Sequence, residues 1–324
     1  MVIVNWNSGA LLRSCIASLF SVPDDLSLQI IVIDNDSKDG SANFLRDSNS
    51  GVELIANSHN VGFSKACNRG LGRARGRYIL LLNPDTEVLP AAMASMVAVA
   101  DGDERIAVVG PQLVYPDSTL QPSCVHFPSL RRSILDLAGL NRLFPRSEIL
   151  AGTYMLSWGH DSQREVEYMM GACLLMRTAS VRALGGFDER FYMYFEETDL
   201  CRRIRSAGWT CVYTPHARVV HHAGVSSIQN LHVRWVVYHQ CELLYFAKHW
   251  GAWHVLVMRV IICVHFTVRT LSLPIAVARL RRKGASSASW YALLSYHAQV
   301  IRSCFVPIRK LKKLVESYSV SDGG

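Results

Sequence analysis

Asp85 stands where an apolar run stops. Tyr78 to Leu82 (YILLL) is long enough for one fully buried strand, and Asn83-Pro84-Asp85-Thr86-Glu87 follows at once. Pro84 cannot donate to a ladder, so the strand should end there and leave a carboxylate at its carboxyl end. In open α/β sheets, ligands bind outside those ends. A carboxylate there can hold a divalent cation that also touches phosphate oxygens. The same residues suit a Pro-Asp turn in which Asp85 caps a helix starting near Pro90.

Three other polar groups could join such chemistry. Asp34 ends a second apolar run within DNDSKDG, where a helix cap or an ordinary Asx turn would account for it equally well. Glu196, Glu197 and Asp199 follow five aromatic or Met residues, Phe191 to Phe195. That order puts carboxylates at the edge of an apolar pocket, where one could act as a general base. A solvated helix start, favoured by the dipole and pairing forward to Arg202 and Arg203, gives the same pattern. His221 could complete a metal site or be a satisfied core histidine.

The elements that must position these groups alternate. Val2–Val4, Gln29–Ile33, Val52–Ala56 and Tyr78–Leu82 read as strands; Leu11–Phe20, a segment from near Ser41, and Phe63–Arg73 read as helices. That order predicts an α/β fold with a parallel sheet and right-handed crossovers. The glycines of Gly70 to Gly76 do not make a dinucleotide fingerprint: a strand follows them instead of a helix. They read as helix-terminating glycines. Pro111 to Pro145 is turn-rich, a loop that could cover the site. Gly171-Ala172 inside Tyr168–Met176 allow close backbone approach to a ligand, or simple packing. Gly185–Asp188 reads as a turn, Glu196–Ala207 as a helix and Trp209–Tyr213 as a strand.

The chain has 324 residues, half of them hydrophobic, which is enough for one large core or two ordinary ones. Its formal charge of +8 suits an anionic partner: a nucleotide, a nucleic acid or an acidic membrane surface. Nine scattered cysteines form no C-x-x-C, so neither a zinc site nor a redox pair is indicated. With no basic n-region before Val2-Ile3-Val4, the expectation is a cytoplasmic catalytic part.

Taken in order, VIVNWNS, VIDNDSKDGS, NVGFSKACNRGL, YILLLNPDTEV, GGFDERFYMYFEETDLCRRIRSAGW and VVHHAGVSS resemble the inverting family-2 glycosyltransferases of GT-A fold, and most of all their rhamnosyltransferase group. The resemblance covers residues 1–228; YFAKHWG, within 229–324, resembles the group's helical tail more loosely. It implies a GT-A domain, a Rossmann-like and mostly parallel sheet flanked by helices, with a helical C-terminal extension.

It also implies residue roles. Asn5, Trp6, Asp34, Asn60, Gly62, Asn68, Asn83 and Asp85 would form the nucleotide-sugar site, with Trp6 and Asp34 on the base. Asp85 matches the last acid of the family's D-x-D motif, whose first acid is Asn83 here. Asp85 and His221 would hold Mg²⁺ or Mn²⁺. Glu197, or its neighbour Glu196, would be the catalytic base, with Gly171 and Asp199 on the acceptor side and nearby acids raising the base's proton affinity. The implied donor is a nucleoside-diphosphate sugar, dTDP-rhamnose first, and the acceptor a lipid-linked or other glycan, with no role for nucleic acid. Alternatives are galactofuranose or N-acetylglucosamine donors, or an inactive sugar-nucleotide scaffold. A nucleotidyltransferase would want a Gly-rich phosphate loop after the first strand, where this chain has NWNSGAL.

Past Asn230 the chain turns helical, aromatic and basic. Val255–Ala278 is long enough to span a bilayer, but Arg259, His265, Arg269 and Pro274 interrupt it. Each central Arg costs roughly 2.5 to 3.5 kcal/mol on the insertion scale, so an in-plane amphipathic helix is expected. Arg279, Arg281, Arg282 and Lys283, then Arg309, Lys310, Lys312 and Lys313, suit an anionic lipid surface at the inner face of the plasma membrane. A helical pair packed on the sheet domain with a solvated basic rim is the alternative.

Overall fold

The structure, a computed structural model, describes residues 1–21, 26–46, 51–150, 152–222, 231–281 and 288–311. The end of the VVHHAGVSS motif, Arg282, Lys283, Lys312 and Lys313 lie outside them. The first half is built from β1 (Val2–Asn5), α1 (Leu11–Phe20), β2 (Ile30–Asp34), β3 (Val52–Ala56), α2 (Phe63–Arg73) and β4 (Tyr78–Leu82). These strands pair in parallel in the order β3-β2-β1-β4. The register sets Asn5 beside Asp34 and Ile3 beside Leu82, so the strands' carboxyl ends lie along one edge.

The second half continues with β5 (Thr86–Val88), α3 (Ala92–Gly102), β6 (Ile106–Val114), β7 (Leu120–Gln121), β8 (Cys124–Val125), α4 (Leu130–Leu137) and α5 (Leu140–Leu143). Then come β9 (Arg164–Val166), β10 (Tyr168–Met169), β11 (Cys173–Arg177), α6 (Thr178–Ala183), α7 (Glu196–Ser206) and β12 (Thr210–His221). Here the sheet is mixed: β11 runs antiparallel to both β4 and β6, while β12 is parallel to β6 and antiparallel to β5. Side chains alternate across the pleat. Val2, Val4, Ile31, Ile33 and Leu81 pack on the α2 and α7 side, and Ile3, Val32, Leu80 and Leu82 on the α1 and α3 side.

Several expectations are corrected. The segment after Ser41 is only a three-residue 3₁₀ turn, Asn43–Leu45. Asp85 caps no helix, because β5 intervenes and α3 starts at Ala92. Gly70 is interior to α2 rather than a cap: a Cβ there would meet Val2 Cγ1 at 2.4 Å, so it is the point where helix and sheet touch. The strand expected at Trp209–Tyr213 runs to His221. Within the turn-rich span, Pro111 lies inside β6, opposite Thr214.

The C-terminal region consists of α8 (Leu231–His249), α9 (Ala252–Arg281) and α10 (Ala288–Ser303). Its core includes Val236, Leu243, Phe246, Met258 and Phe266, and also Phe191 and Phe195 from the segment that precedes α7. α9 continues through Pro274, and it turns two of its polar residues inward. Arg259 donates to the Val306 carbonyl at 2.7 Å, and His265 is half-buried. Arg269 is exposed, and so are the large apolar residues Trp253, Leu256, Val260, Val264, Val268 and Leu271. At ~100° per residue these apolar residues fall within an arc of about 120°, opposite Arg259, His265 and Arg269.

Candidate active site

A cavity of about 280 Å³ opens at the carboxyl ends of the parallel strands. The end of β1 contributes Trp6; the end of β2, Asn35; the loop before α2, Asn60 and Gly62; and the end of β4, Asn83, Pro84 and Asp85. Gly171, Glu196, Glu197 and His221 also line it.

The Asp85 and His221 pairing follows from the sheet. β12 pairs with β5 so that His221 lies beside Thr86, and the His222 amide donates to the Asp85 carbonyl at 2.9 Å. The His221 Nε2 comes 3.4 Å from Asp85 Oδ1, and both residues are buried. The other ring nitrogen, Nδ1, is 2.9 Å from Gln121 Oε1. With Nδ1–H donating to that carbonyl oxygen, Nε2 presents a lone pair to a carboxylate oxygen. That nitrogen and oxygen can share a proton or a divalent ion, and an imidazole whose second nitrogen is held by a carbonyl is the usual state of a metal ligand. The residues present therefore fit a divalent ion, with Asp85 and His221 as its protein donors. Gln121 had no mark in the sequence beyond lying in a turn-rich span.

Tyr194 and Phe195 both have positive φ, 71° and 69°. Each such residue costs about 1 to 3 kcal/mol. Phe195 is buried against Tyr238 and Tyr245 of α8, with ring centroids 5.0 and 5.6 Å apart. A fully buried Phe contributes roughly 1.5 to 3 kcal/mol, so this packing offsets much of the strain. The turn delivers Glu196 and Glu197 as the first residues of α7.

The two acids differ in surroundings. Glu196 is buried, while Glu197 is partly open to the cavity. Burial pushes both carboxyls up, and the Glu197 charge pushes Glu196 up further. Backbone amides oppose the shift at both, one at Glu196 and several at Glu197, including those of Thr198 and Gly171. Both carboxyls therefore hold a proton more readily than an exposed one, Glu196 the more strongly. One carboxylate oxygen of each residue has no hydrogen-bond partner.

Other expected residues stand behind the cavity wall. Asn5 is fully buried and donates to Asp34 Oδ1 at 2.9 Å and to Ser41 Oγ at 2.9 Å. The pair braces the loop beneath Trp6. Asn68 clamps the glycine turn, exchanging 2.9 Å bonds with the Phe187 amide and carbonyl. Asp199, expected at the acceptor side, does not line the cavity. It is fully buried and held by Arg203, Lys248 and His249 at 2.8, 2.6 and 2.8 Å, so its neutralised charge does not act on Glu197. Gly62 has φ +87°, and a Cβ there would lie 2.7 Å from the Tyr192 ring, so only glycine fits. Asn35, unremarked in the sequence, receives the Val61 amide at 3.1 Å and donates to Asn60 at 2.8 Å, shaping this part of the wall.

The family model for glycosyl transferase family 2 matches residues 1–156. The N-acetylglucosaminyl-diphospho-decaprenol L-rhamnosyltransferase of Mycobacterium tuberculosis is 30% identical over 265 residues, spanning 78% of this chain and 85% of that protein. The chain belongs to glycosyltransferase family 2. As a family-2 glycosyltransferase of the rhamnosyltransferase-like group, it also resembles rhamnosyltransferase WbbL of Escherichia coli, at 27% identity over 150 residues, 45% of this chain and 52% of that one. Among solved structures, the mannosyltransferase PcManGT of Pyrobaculum calidifontis, in complex with GDP-Man and Mn²⁺, superposes with a TM-score of 0.52 at 16% identity, covering 99% of this chain and 84% of that one. GalNAc-T7, solved with UDP, GalNAc and Mn²⁺, gives 0.51 at 19% identity, covering 68% of this chain and 42% of that longer one. The glycosyltransferase has the GT-A fold with added C-terminal helices.

Proposed function

We propose that this glycosyltransferase transfers rhamnose or a related deoxyhexose from a nucleoside diphosphate, dTDP-rhamnose first, to a lipid-linked acceptor in cell-surface glycan synthesis. The observation that carries the reading is the lining of one cavity. Asp85 and His221, 3.4 Å apart, share it with the Glu197 carboxyl. The names of the relatives support the sugar and the lipid-linked acceptor.

In this reading Trp6 stacks on the base, and Asn60, Gly62 and Asn83 border the diphosphate and sugar. Asn5, Asp34 and Asn68 act from behind by holding the loops that carry those residues. A divalent cation, Mg²⁺ or Mn²⁺, supplies countercharge for the departing diphosphate. Glu197 takes the acceptor hydroxyl proton as the oxygen attacks the anomeric carbon. The new C–O bond forms as the bond to the phosphate oxygen breaks, on the opposite face, so the anomeric centre inverts. Glu196 lies buried beside Glu197.

The work is done on the cytoplasmic side of a membrane. The Ala252–Leu273 stretch is long and apolar enough to cross a bilayer by composition, with a mean hydropathy of 1.7. The outward apolar arc of α9 and the basic segments after it instead suit a helix lying in the anionic interface. The test is a panel of dTDP-, UDP- and GDP-sugars, each with and without Mn²⁺, offered with a polyprenyl-diphosphate-linked N-acetylglucosamine. Metal-dependent transfer from dTDP-rhamnose is expected. Transfer only from another donor reassigns the sugar, and binding without transfer from any donor would point to an inactive scaffold.

A further inference from the structure

A second cavity, of about 460 Å³, lies where α4, α5, α8 and α9 meet. Arg132, Arg142 and Arg269 open onto it, as do His239 and His265. Two acids face it as well. Glu242 is taken up by His239 at 2.9 Å. Asp136 has its carboxyl pushed up by burial, and its Oδ2 is 3.4 Å from the Thr153 hydroxyl. Arg132 gives one N–H to the Phe127 carbonyl at 3.2 Å, and Glu167 stands 4.0 Å away. Burial pushes the His265 imidazole down to about 4, with Arg269, His239 and Arg142 adding to the effect. The field inside is positive, and guanidinium forks match phosphate oxygens.

Two neighbours define what such a ligand must look like. The cavity lies close to the catalytic pocket in the chain: Tyr168 lines it, two residues before Met170, which lines the catalytic pocket. On its other side, α9 contributes Met258, Ile262 and Phe266 to the cavity while turning Val260, Val264 and Val268 outward. A ligand that suits this cavity combines an anionic group with an apolar tail against α9.

We propose that this cavity holds the diphosphate of the lipid-linked acceptor, with Arg132, Arg142 and Arg269 as its partners, and that the lipid chain leaves across the apolar arc of α9. The proposal rests on the lipid-linked acceptor argued above. It makes acceptor choice a property of the C-terminal helices as much as of the sheet domain.

The experiment compares two acceptors carrying the same sugar, one joined through a diphosphate to a short polyprenyl chain and one a simple alkyl glycoside. Wild type should prefer the first in kcat/KM. In Arg142→Gln, Arg269→Gln and the double variant that preference should fall by about tenfold or more, as expected for a lost charge-assisted bond. Donor binding, measured calorimetrically, should stay unchanged and show that the fold is intact. An equal loss for both acceptors, or an unaltered preference, overturns the proposal. So does loss of sedimentation with anionic phospholipid vesicles alongside an unaltered preference, which would assign the arginines to a membrane headgroup. Absence of transfer by wild type to either acceptor would remove the lipid-linked reading itself.

Discussion

The Lys248 ammonium lies 2.6 Å from the buried Asp199 carboxylate and 2.7 Å from Asp188. It ties the end of α8 to the first turn of α7 and to the glycine turn before it. This gives the YFAKHWG motif a physical purpose: Lys248 and His249 of the C-terminal helices hold the helix that presents Glu197. Lys248→Met should cost about 1.5 to 3 kcal/mol, the range for a hydrogen bond to a charged group, because Arg203 and His249 still support Asp199. Urea unfolding would measure the loss. As a positioning residue, Lys248 should lower kcat while leaving donor KM near wild type. A fall in stability with full kcat would leave it a purely structural clamp.

The same network sets an acid limit. Burial pushes Asp199 up, but the His249 bond and the Arg203 and Lys248 charges more than offset this and hold it below the ordinary carboxylate range. A depressed folded pKa contributes stability above the unfolded value, about 3.9, and that contribution is lost as pH falls through the lower folded value. Stability should therefore drop as pH falls below ~4, and Asp199→Asn should flatten the curve in that window. Equal slopes for the two proteins would show that the network does not titrate with folding.

Asp85→Asn keeps the side chain's size and removes the charge that makes it a cation ligand. Mn²⁺ affinity, read by calorimetry on the protein without donor, should fall, and transfer should be lost while nucleoside binding at Trp6 persists. Gln121→Leu should weaken Mn²⁺ binding by about 10- to 100-fold, the usual scale for a lost partner of a ligating histidine. Full transfer in excess EDTA would contradict a required metal.

Trp6 borders the cavity at the end of β1, where its ring can lie against a base. Trp6→Ala should weaken binding of the donor nucleotide by roughly 1 to 3 kcal/mol, the scale of base–aromatic stacking. Unchanged affinity for every nucleoside diphosphate would remove Trp6 from the site.

Much of the parallel half was legible because local rules decided it. A five-residue apolar run that ends in Asn-Pro-Asp can only be a short buried strand with its polar end outside, and β4 has those bounds. The mixed half was not legible. β5 is three residues long and exists because β12 pairs with it, a partner 130 residues or so away in sequence that no local pattern announces. Gln121 is functional only through that pairing, which carries His221 to it. Asp199 was misplaced for a related reason. Its charge marks a helix start in sequence, and only the docking of α8 shows that Lys248 and His249 neutralise it. The α9 residues were read with the correct spacing, but no local pattern announces that Arg259 turns to the Val306 carbonyl and His265 to a cavity formed by distant helices.

Glu196 and Glu197 separate most sharply by isosteric substitution. Burial raises Glu196 well above the ordinary carboxylate range, so Glu196→Gln imitates its protonated form and should retain most of the turnover. Glu197→Gln removes the carboxylate that faces the cavity and should lose ~10²- to 10⁴-fold, the contribution of a general base, with donor and Mn²⁺ still bound. Since burial raises Glu197, the acid limb of kcat in the wild type should lie above the ordinary carboxylate value of about 4.3. Glu196→Gln should leave that limb near its wild-type position, because burial is what raises Glu197. The deciding measurement is single-turnover transfer at saturating donor across pH. An inactive Glu196→Gln with a near-normal Glu197→Gln would move the base one residue back, to the side chain with less access to an acceptor. Activity in both variants would reduce the pair to a charged helix start, and the strained turn at Tyr194 and Phe195 would then be left without a chemical purpose.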